Sequence, residues 1–254
     1  MPAAADDFDT SLPVSTIPAS PTPSLHIPVA RPRMSPELAL SQYERNARWQ
    51  SQQLGESDDT TTITADLPKA AKHGQYRLKR VFSAPKTLAF KTIDFVGDSF
   101  VKTNVIARLL QSEADHVKTS KSTDTAITRD NYKFSYKDTV IVDGHTAHLF
   151  AVKPREKRAG LFKGKVYIDA YTANIVRAEG RLVKSPSLFI KSIEFEQDYA
   201  QVGDFNLVSH MHSVAETRVI GTAVVDISHD DYQVKSLTEV LAEADARRAE
   251  ADGR

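Results

Sequence analysis

The feature that most constrains the fold is a long series of segments in which apolar and polar residues alternate, joined by tight turns. These segments lie near 132–136, 138–153, 163–171, 174–183, 187–199, 205–217 and 222–234. Alternation at a period of two predicts β-strands with two distinct faces. Parallel strands need crossover connections of roughly a dozen residues, so these short turns predict antiparallel pairing. The chain therefore favours one long antiparallel meander over an alternating βαβ fold.

The first predicted helix begins at Ser35 and marks the start of the ordered part of the chain. Ser35 can cap the free amides, Pro36 suits the first helical position, and Glu37 favours the positive end of the helix dipole. The helix should run to about Leu54, because Gly55 is a typical helix-ending residue.

Period-two alternation resumes after this helix, where apolar residues at 63, 65 and 67 alternate with polar ones. Further along, the pattern assigns Ala89, Lys91, Ile93 and Phe95 to one strand face, with Leu88 and Phe90 starting the other. The sequence therefore predicts that Phe90 and Phe95 lie on opposite faces of the sheet.

Two more helices are predicted. Residues 100–113 carry one apolar stripe, formed by Val101, Val105, Ile106, Leu109 and Leu110. Asp98 or Ser99 can cap this second helix. The third begins at the capping-box pattern Ser236-x-x-Glu239 and is rich in Ala, Glu and Arg.

Residues 1–34 are predicted to form a disordered, proline-rich tail. Eight of the twelve prolines lie at or before position 36, and Phe8 is the one aromatic residue of this segment. Such a segment buries too little apolar surface to offset roughly 1–2 kcal/mol per residue of ordering entropy. The domain organisation that follows is a tail over 1–34, one domain over 35–235, and a charged helix or tail over 236–254.

The composition excludes several functional classes. The chain has 33 Lys and Arg against 33 Asp and Glu, so it lacks the basic excess with which nucleic-acid binders displace counterions. Without cysteine it has no disulfide, thiolate zinc site or cysteine nucleophile. No apolar run approaches the roughly 18 residues that span a bilayer. No export signal is visible, because Asp6, Asp7 and Asp9 stand where a positive region is expected.

A serine esterase is one alternative. The string Gly97-Asp98-Ser99-Phe100 resembles the GDSL block of lipid hydrolases, and Asp226-x-x-His229 has the spacing of the other two triad members. A nucleophilic serine needs an oriented imidazole within about 3 Å. The predicted meander differs from the alternating α/β sheet of those enzymes. A helix cap at Asp98 or Ser99 is therefore the simpler interpretation.

Two polar patterns suggest binding. His210 and His212 share a strand face, as a metal pair would, but no third ligand is identifiable, so no metal site is predicted. The basic loop Lys153–Arg158 could attract acidic headgroups or an acidic partner, although a solvated hairpin end explains it more simply.

Several motifs are similar to those of one known group of proteins. They are Ala65-Asp66-Leu67-Pro68, the string from Gly97 to Arg108, Gly160-Leu161-Phe162-Lys163-Gly164, Tyr167-Ile168-Asp169-Ala170, Ile175-Val176-Arg177 and Lys184-Ser185-Pro186-Ser187. Through them, roughly residues 60–234 resemble bacterial LolA-like proteins, also described as outer-membrane lipoprotein-sorting proteins. The resemblance implies a mainly β fold with α: a curved antiparallel sheet, or half-open β-barrel, closed by two helices.

The resemblance also implies a function. Relatives of this architecture carry the acyl chains of lipoproteins across the periplasm or sense lipid-linked signals there, without a catalytic set. We therefore expect a non-enzymatic periplasmic carrier of lipids or lipoproteins with no cofactor. We also expect a monomer that meets a transport partner in the envelope and binds no nucleic acid. A cytoplasmic location stays open. The apolar cavity is expected to be lined by Phe90, Phe95, Ile106, Leu110, Phe134, Tyr136, Tyr167, Phe189 and Phe195. A structural or interaction module with a filled interior is the other alternative.

Overall fold

The protein forms one antiparallel sheet of ten strands that does not close. The structure, a computed structural model, describes residues 32–119, 122–185 and 188–252. The predicted tail falls almost wholly on residues 1–31, outside the described residues. The strands are β1 (Leu54–Leu67), β2 (Lys72–Ser83), β3 (Thr87–Gly97), β4 (Tyr132–Val142), β5 (His145–Pro154), β6 (Phe162–Asp169), β7 (Ile175–Leu182), β8 (Ile190–Val202), β9 (Phe205–Thr217) and β10 (Thr222–Ser236).

The strand order is β3-β2-β1-β10-β9-β8-β7-β6-β5-β4. Two runs of hairpin-connected strands, β1 to β3 and β4 to β10, therefore lie side by side, joined where β1 pairs antiparallel with β10. In that pairing Ile63 lies opposite Ile227. The predicted antiparallel meander is confirmed for residues 131–234, which form β4 to β10, but it does not extend over the whole ordered part, because β1 to β3 join it through β1 and β10. Pairing between the first and last strands is non-local, so no turn in the sequence encodes it.

The first helix, α1 (Pro36–Gln53), begins as predicted, because the Ser35 hydroxyl accepts a hydrogen bond from the Leu38 backbone N–H at 3.3 Å. It ends at Gln53, within one residue of the predicted end, but β1 follows at Leu54 without a turn. Gly55 lies inside this strand, where a Cβ atom would stand 2.8 Å from the backbone of Leu237. This glycine therefore allows a close backbone approach and does not cap the helix.

The second helix, α2, consists of an α-helical turn (Ser99–Val101), a π-helical segment (Lys102–Ile106) and a longer α-helix (Ala107–Thr119). Asp98 caps it as predicted, with its carboxylate accepting from the Phe100 N–H at 2.7 Å. The helix continues beyond the predicted end at residue 113. The described helices include none that is both long and apolar enough to cross a membrane.

The third helix, α3 (Leu237–Asp252), starts with the predicted capping box. The Ser236 N–H donates to the Glu239 carboxylate at 2.7 Å, and the Glu239 N–H donates to the Ser236 hydroxyl at 3.3 Å. These reciprocal bonds satisfy two backbone N–H groups at the start of the helix.

Two apolar clusters lie on the same face of the sheet, and this face is called the inner face below. The first cluster includes Leu40 and Tyr43 of α1 and residues of β4 to β7. The second joins Val101 and Ile106 of α2 to β1, β2 and β10. Each helix thus covers one half of the inner face. The predicted architecture, a half-open barrel closed by two helices, is confirmed.

A β-bulge changes the faces of β3. The register between β2 and β3 shifts at Ile93, which has no partner on β2. Because of this extra residue, the side chains after Ile93 point to the face opposite to the one that strict alternation predicts. Phe90 and Phe95 therefore both pack against the second cluster. The predicted placement of these two rings on opposite faces is therefore wrong, because strict alternation cannot reveal an inserted residue.

Candidate functional site

Two openings lie on the inner face of the sheet. The larger, about 640 Å³, is the edge cleft between the start of α1 and strand β4. The other, about 500 Å³, is the central cavity between α1 and α2. The central cavity is lined by Tyr43, Leu109, Thr125, Ala126, Ile127, Gly160, Phe162, Ala178, Leu182, Ile193, Phe195, Gln197, Tyr199, Met211 and Ser213.

The central cavity is built mainly by alternate residues of β6 to β9. On β8 the contributing positions are 193, 195, 197 and 199, which follow the period of a strand. The Phe195 ring meets the Phe162 ring edge to face, with centroids 5.0 Å apart. Tyr43 of α1 and Leu109 of α2 close the two sides. The sheet therefore supplies the floor and the two helices supply the walls.

The lining of the central cavity carries no formal charge. None of its residues is Asp, Glu, Lys, Arg or His. Burial raises the pKa of Tyr43 and of Tyr199 well above the ordinary range, so both hydroxyls stay neutral at any physiological pH. The Ser213 hydroxyl donates to the Val225 carbonyl at 3.4 Å. An uncharged, largely apolar lining suits a ligand, or part of one, that is itself apolar.

The structure divides the nine predicted lining residues among several places. Phe195 lines the central cavity, and Phe134 and Tyr136 line the edge cleft. Four others belong to the second apolar cluster under α2 or pack against it: Phe90, Phe95, Ile106 and Leu110. Three of the nine residues therefore reach an opening, and four contribute to the core beneath the second helix.

Tyr167 and Phe189 lie away from both openings. Tyr167 follows the inward-facing Val166 on β6, so its side chain lies on the outer face, where its hydroxyl donates to Glu179 at 3.0 Å. Phe189 lies in the turn before β8, and 62% of the residue is exposed. Its carbonyl accepts a hydrogen bond from the Arg218 N–H at 2.9 Å.

Sequence reasoning missed most of the central lining. Ile193 and Tyr199 could have been found, because they continue the alternation that includes Phe195. Leu109 and Leu110 belong to the same helical stripe, and only the rotation of α2 decides that Leu109 lines the cavity. Tyr43 has no such signal, because the position of α1 over the sheet is a tertiary feature.

The edge cleft has an aromatic floor and a charged rim. Phe134 and Tyr136 each meet the Phe150 ring edge to face, with centroid distances of 6.1 and 5.8 Å. The lining also contains Arg129, Arg155 and Glu37, and Arg129 is paired with the carboxylates of Glu37 and Glu44. The aromatic floor can therefore hold an apolar side chain, and charged groups of both signs lie at the rim.

A buried ion network lies on the inner face beneath α2. The fully buried Asp59 carboxylate contacts Arg80 at 3.3 Å, and Arg80 also binds Glu113 of α2 at 2.9 Å. His229 Nδ1 lies 2.9 Å from Asp59. Burial favours protonation of Asp59, but hydrogen bonds from His229 and Thr61 and the charge of Arg80 outweigh it and lower its pKa. The network is therefore charged at neutral pH and connects the helix to the sheet.

The structure does not assemble the triad of the esterase hypothesis. His229 faces inward and binds Asp59, whereas Asp226, three residues earlier, binds His212 at 2.7 Å. Ser99 lies in the first turn of α2, next to the capping Asp98. The three residues proposed as nucleophile, base and acid thus belong to separate local arrangements.

The histidine pair of β9 lies on the outer face. His210 Nε2 and His212 Nδ1 both approach Asp226 Oδ1, at 3.8 and 2.7 Å. In the part of the chain that the structure describes, no group of three or more His, Asp or Glu residues has the arrangement of a metal site. These contacts are cross-strand polar pairs.

Comparison with known proteins identifies similarity to part of the chain. Residues 125–226, from the loop before β4 into β10, match a family described as a family of unknown function, DUF5686. No curated protein matches the chain.

Several solved structures are similar to this chain over about three quarters of its length. One is an outer membrane lipoprotein-sorting protein domain from Vibrio parahaemolyticus, with 12% identity, a TM-score of 0.41, and coverage of 76% of this chain and 91% of that one. A LolA superfamily protein from Nitrosomonas europaea has 10% identity, a TM-score of 0.38, and coverage of 77% and 93%. A DUF1329 family protein from Desulfovibrio piger has 10% identity, a TM-score of 0.39, and coverage of 78% and 92%. Similarity at these values identifies no ligand or partner of this chain.

Proposed function

We propose that this protein is a non-enzymatic carrier that holds the acyl chain of a lipid or lipoprotein in the central cavity. The observation that supports the proposal most directly is the cavity of about 500 Å³ with an uncharged, aromatic and aliphatic lining. That volume lies within the range of small-molecule sites in proteins, about 300–1,000 Å³.

The physical basis of binding is the removal of methylene groups from water. Each buried methylene contributes about 0.8 kcal/mol, so an acyl chain of ordinary length can bind without a single polar contact. Because this attraction is non-directional, the site tolerates chains of different structure. Release then requires movement of a wall or transfer to a site that binds more tightly.

The cavity walls are two helices that pack on the sheet through side chains. Tyr43 enters from α1 and Leu109 enters from α2. A displacement of either helix would widen the opening without breaking a strand pairing. We propose that such a displacement accompanies loading and release, in the periplasm as the sequence resemblance suggests, with the protein acting as a monomer that meets an envelope partner.

Uptake of a fluorescent fatty acid tests the proposal. Ser213 lines the central cavity and is half-buried, so Ser213→Leu replaces its hydroxyl oxygen by three carbon atoms inside the cavity. Ser192 is also half-buried but lies opposite Glu216 on the outer face, so Ser192→Leu makes a matched control. The proposal predicts saturable uptake by the unchanged protein and by Ser192→Leu, and at least tenfold weaker uptake by Ser213→Leu. Equal uptake by both variants would place the ligand elsewhere.

A further inference from the structure

The edge strand β4 has an open side with backbone groups available for pairing. Strand β4 ends the sheet, and within residues 32–119, 122–185 and 188–252 no strand lies beyond it. We propose that β4 binds an extended segment of a partner protein in which acidic and apolar residues alternate. This inference goes beyond the carrier function, because it concerns the edge cleft and not the central cavity.

The hydrogen-bond phase of β4 identifies the groups that face the open side. The Arg155 N–H donates to the Asn131 carbonyl at 2.8 Å, and opposite pairs in an antiparallel ladder alternate between bonded and non-bonded. The next pair, Tyr132 and Pro154, is therefore non-bonded, in agreement with the missing N–H of proline. Two residues further along, Phe134 and Val152 form another non-bonded pair. The backbone groups of Tyr132 and Phe134 therefore point away from β5.

Four backbone groups remain for a partner. The Tyr132 N–H already donates to the Thr128 carbonyl at 2.8 Å, which leaves the Tyr132 carbonyl, both groups of Phe134 and, in the same phase, the Tyr136 N–H. After Tyr136 the register shifts, so the regular edge ends there. An added strand can pair over about four or five residues, which is the length of a short linear peptide motif.

The inner side of this edge accepts apolar side chains. A strand added next to β4 would place every second side chain on the inner face. There the edge cleft, about 640 Å³, lies between the aromatic floor and the first turn of α1. Phe134 and Tyr136 supply the floor on the side of β4, and Leu40 supplies a wall on the side of α1.

The outer side of the edge is basic. Lys133 and Lys153 lie directly opposite each other in the ladder, and like charges in this position repel. The other outward residues of the regular stretch of this edge, Ser135 and Ala151, are uncharged. A carboxylate on the partner strand opposite Lys133 would stand beside its ammonium group and offset the repulsion from Lys153, which lies one strand farther in. The alternate outward residues of the partner are therefore acidic.

A synthetic peptide of about seven residues that alternates Glu with Phe or Val is the probe. The proposal predicts saturable binding to the full chain, measured by titration calorimetry, that weakens as salt is added. Replacing every Glu by Lys should weaken binding at least tenfold. Lys133→Glu in the protein should weaken binding of the Glu peptide and strengthen binding of the Lys peptide.

Backbone methylation separates strand addition from binding by side chains alone. Every second amide of an added strand points towards β4, and the others point to solvent. N-methylation of the amides that point towards β4 should abolish binding. N-methylation of the amides that point to solvent should leave at least a third of the affinity. Absence of binding by the unmodified peptide, or equal affinities for the two methylated peptides, would overturn the proposal. Ser213→Leu should bind the peptide normally, so the outcome does not depend on fatty-acid uptake.

Discussion

Arg80 of β2 binds Glu113 of α2 through two of its nitrogens, with Nε at 3.0 Å and Nη2 at 2.9 Å from the same carboxylate oxygen. The same guanidinium contacts the buried Asp59 carboxylate of β1. Glu113 follows Leu109, which lines the central cavity, by one helical turn. The ion network thus stabilises the packed position of the part of α2 that forms a cavity wall.

Removal of the Glu113 carboxylate should loosen α2. In Glu113→Gln the charge is lost while the side-chain shape is kept, and we expect a loss of about 1 kcal/mol in the free energy of unfolding, because the carboxylate is partly exposed. Urea denaturation measures the loss. Glu250→Gln, on the exposed face of α3, serves as the control and should change stability by less than about 0.5 kcal/mol. Equal stabilities of the two variants would contradict a role for the Arg80 contact.

Asp59 should make stability depend on pH. The pKa of this carboxyl is lowered in the folded protein, so its contribution is fully present above the unfolded value of about 3.9 and is lost as the pH falls through the folded pKa. We expect Asp59→Asn to lose about 2–4 kcal/mol at pH 7, because Arg80 is left with one buried partner fewer.

The difference between the unchanged protein and Asp59→Asn should shrink as the pH falls from 5 towards 2. Chemical denaturation at a series of pH values checks this. Asp245→Asn, whose side chain is exposed, should parallel the unchanged protein. A difference that stays constant over this range would show that the network is not held by the charge of Asp59.

Gly164 should not tolerate a side chain. It lies opposite Gly180 in the β6–β7 ladder, and a Cβ atom at Gly164 would stand 1.9 Å from the Glu179 carbonyl oxygen. Because the obstacle is backbone, Gly164→Ala should cost more than about 3 kcal/mol or prevent folding. Gly144→Ala has open space around it and a φ of 81°, so it should cost only about 1–2 kcal/mol. Thermal denaturation of the two variants compares steric exclusion with backbone strain.

The sequence predicts the local structure well where neighbouring residues determine it. The capping box at Ser236 and the cap at Asp98 are confirmed, and both depend on contacts within four residues. Tyr132, Phe134 and Tyr136 share one face of β4, as the strand period alone requires.

The remaining features depend on distant parts of the chain. The β1–β10 pairing joins residues that are more than a hundred positions apart, and no turn signals it. The bulge at Ile93 moves Phe95 to the inner face, although composition gives no sign of an extra residue. The central cavity depends on how α1 and α2 lie over the sheet, so its lining could be predicted only in part.

Chain length should control the affinity for fatty acids. If the central cavity holds the acyl chain, each added methylene should increase affinity about fourfold, which corresponds to about 0.8 kcal/mol, until the cavity is full. Longer chains should bind no more tightly, because the added carbons stay in water. Competition against a fluorescent fatty acid with saturated chains of increasing length measures this. Affinity that does not change with chain length would indicate binding through the headgroup alone.

Mass spectrometry of organic extracts from the purified protein tests the central claim most directly. The proposed function predicts an acyl-chain compound in near-equimolar amount with the unchanged protein, and a much smaller amount with Ser213→Leu, whose added bulk occupies the central cavity. An unchanged protein that yields no such compound and also takes up no fluorescent fatty acid would contradict the carrier function.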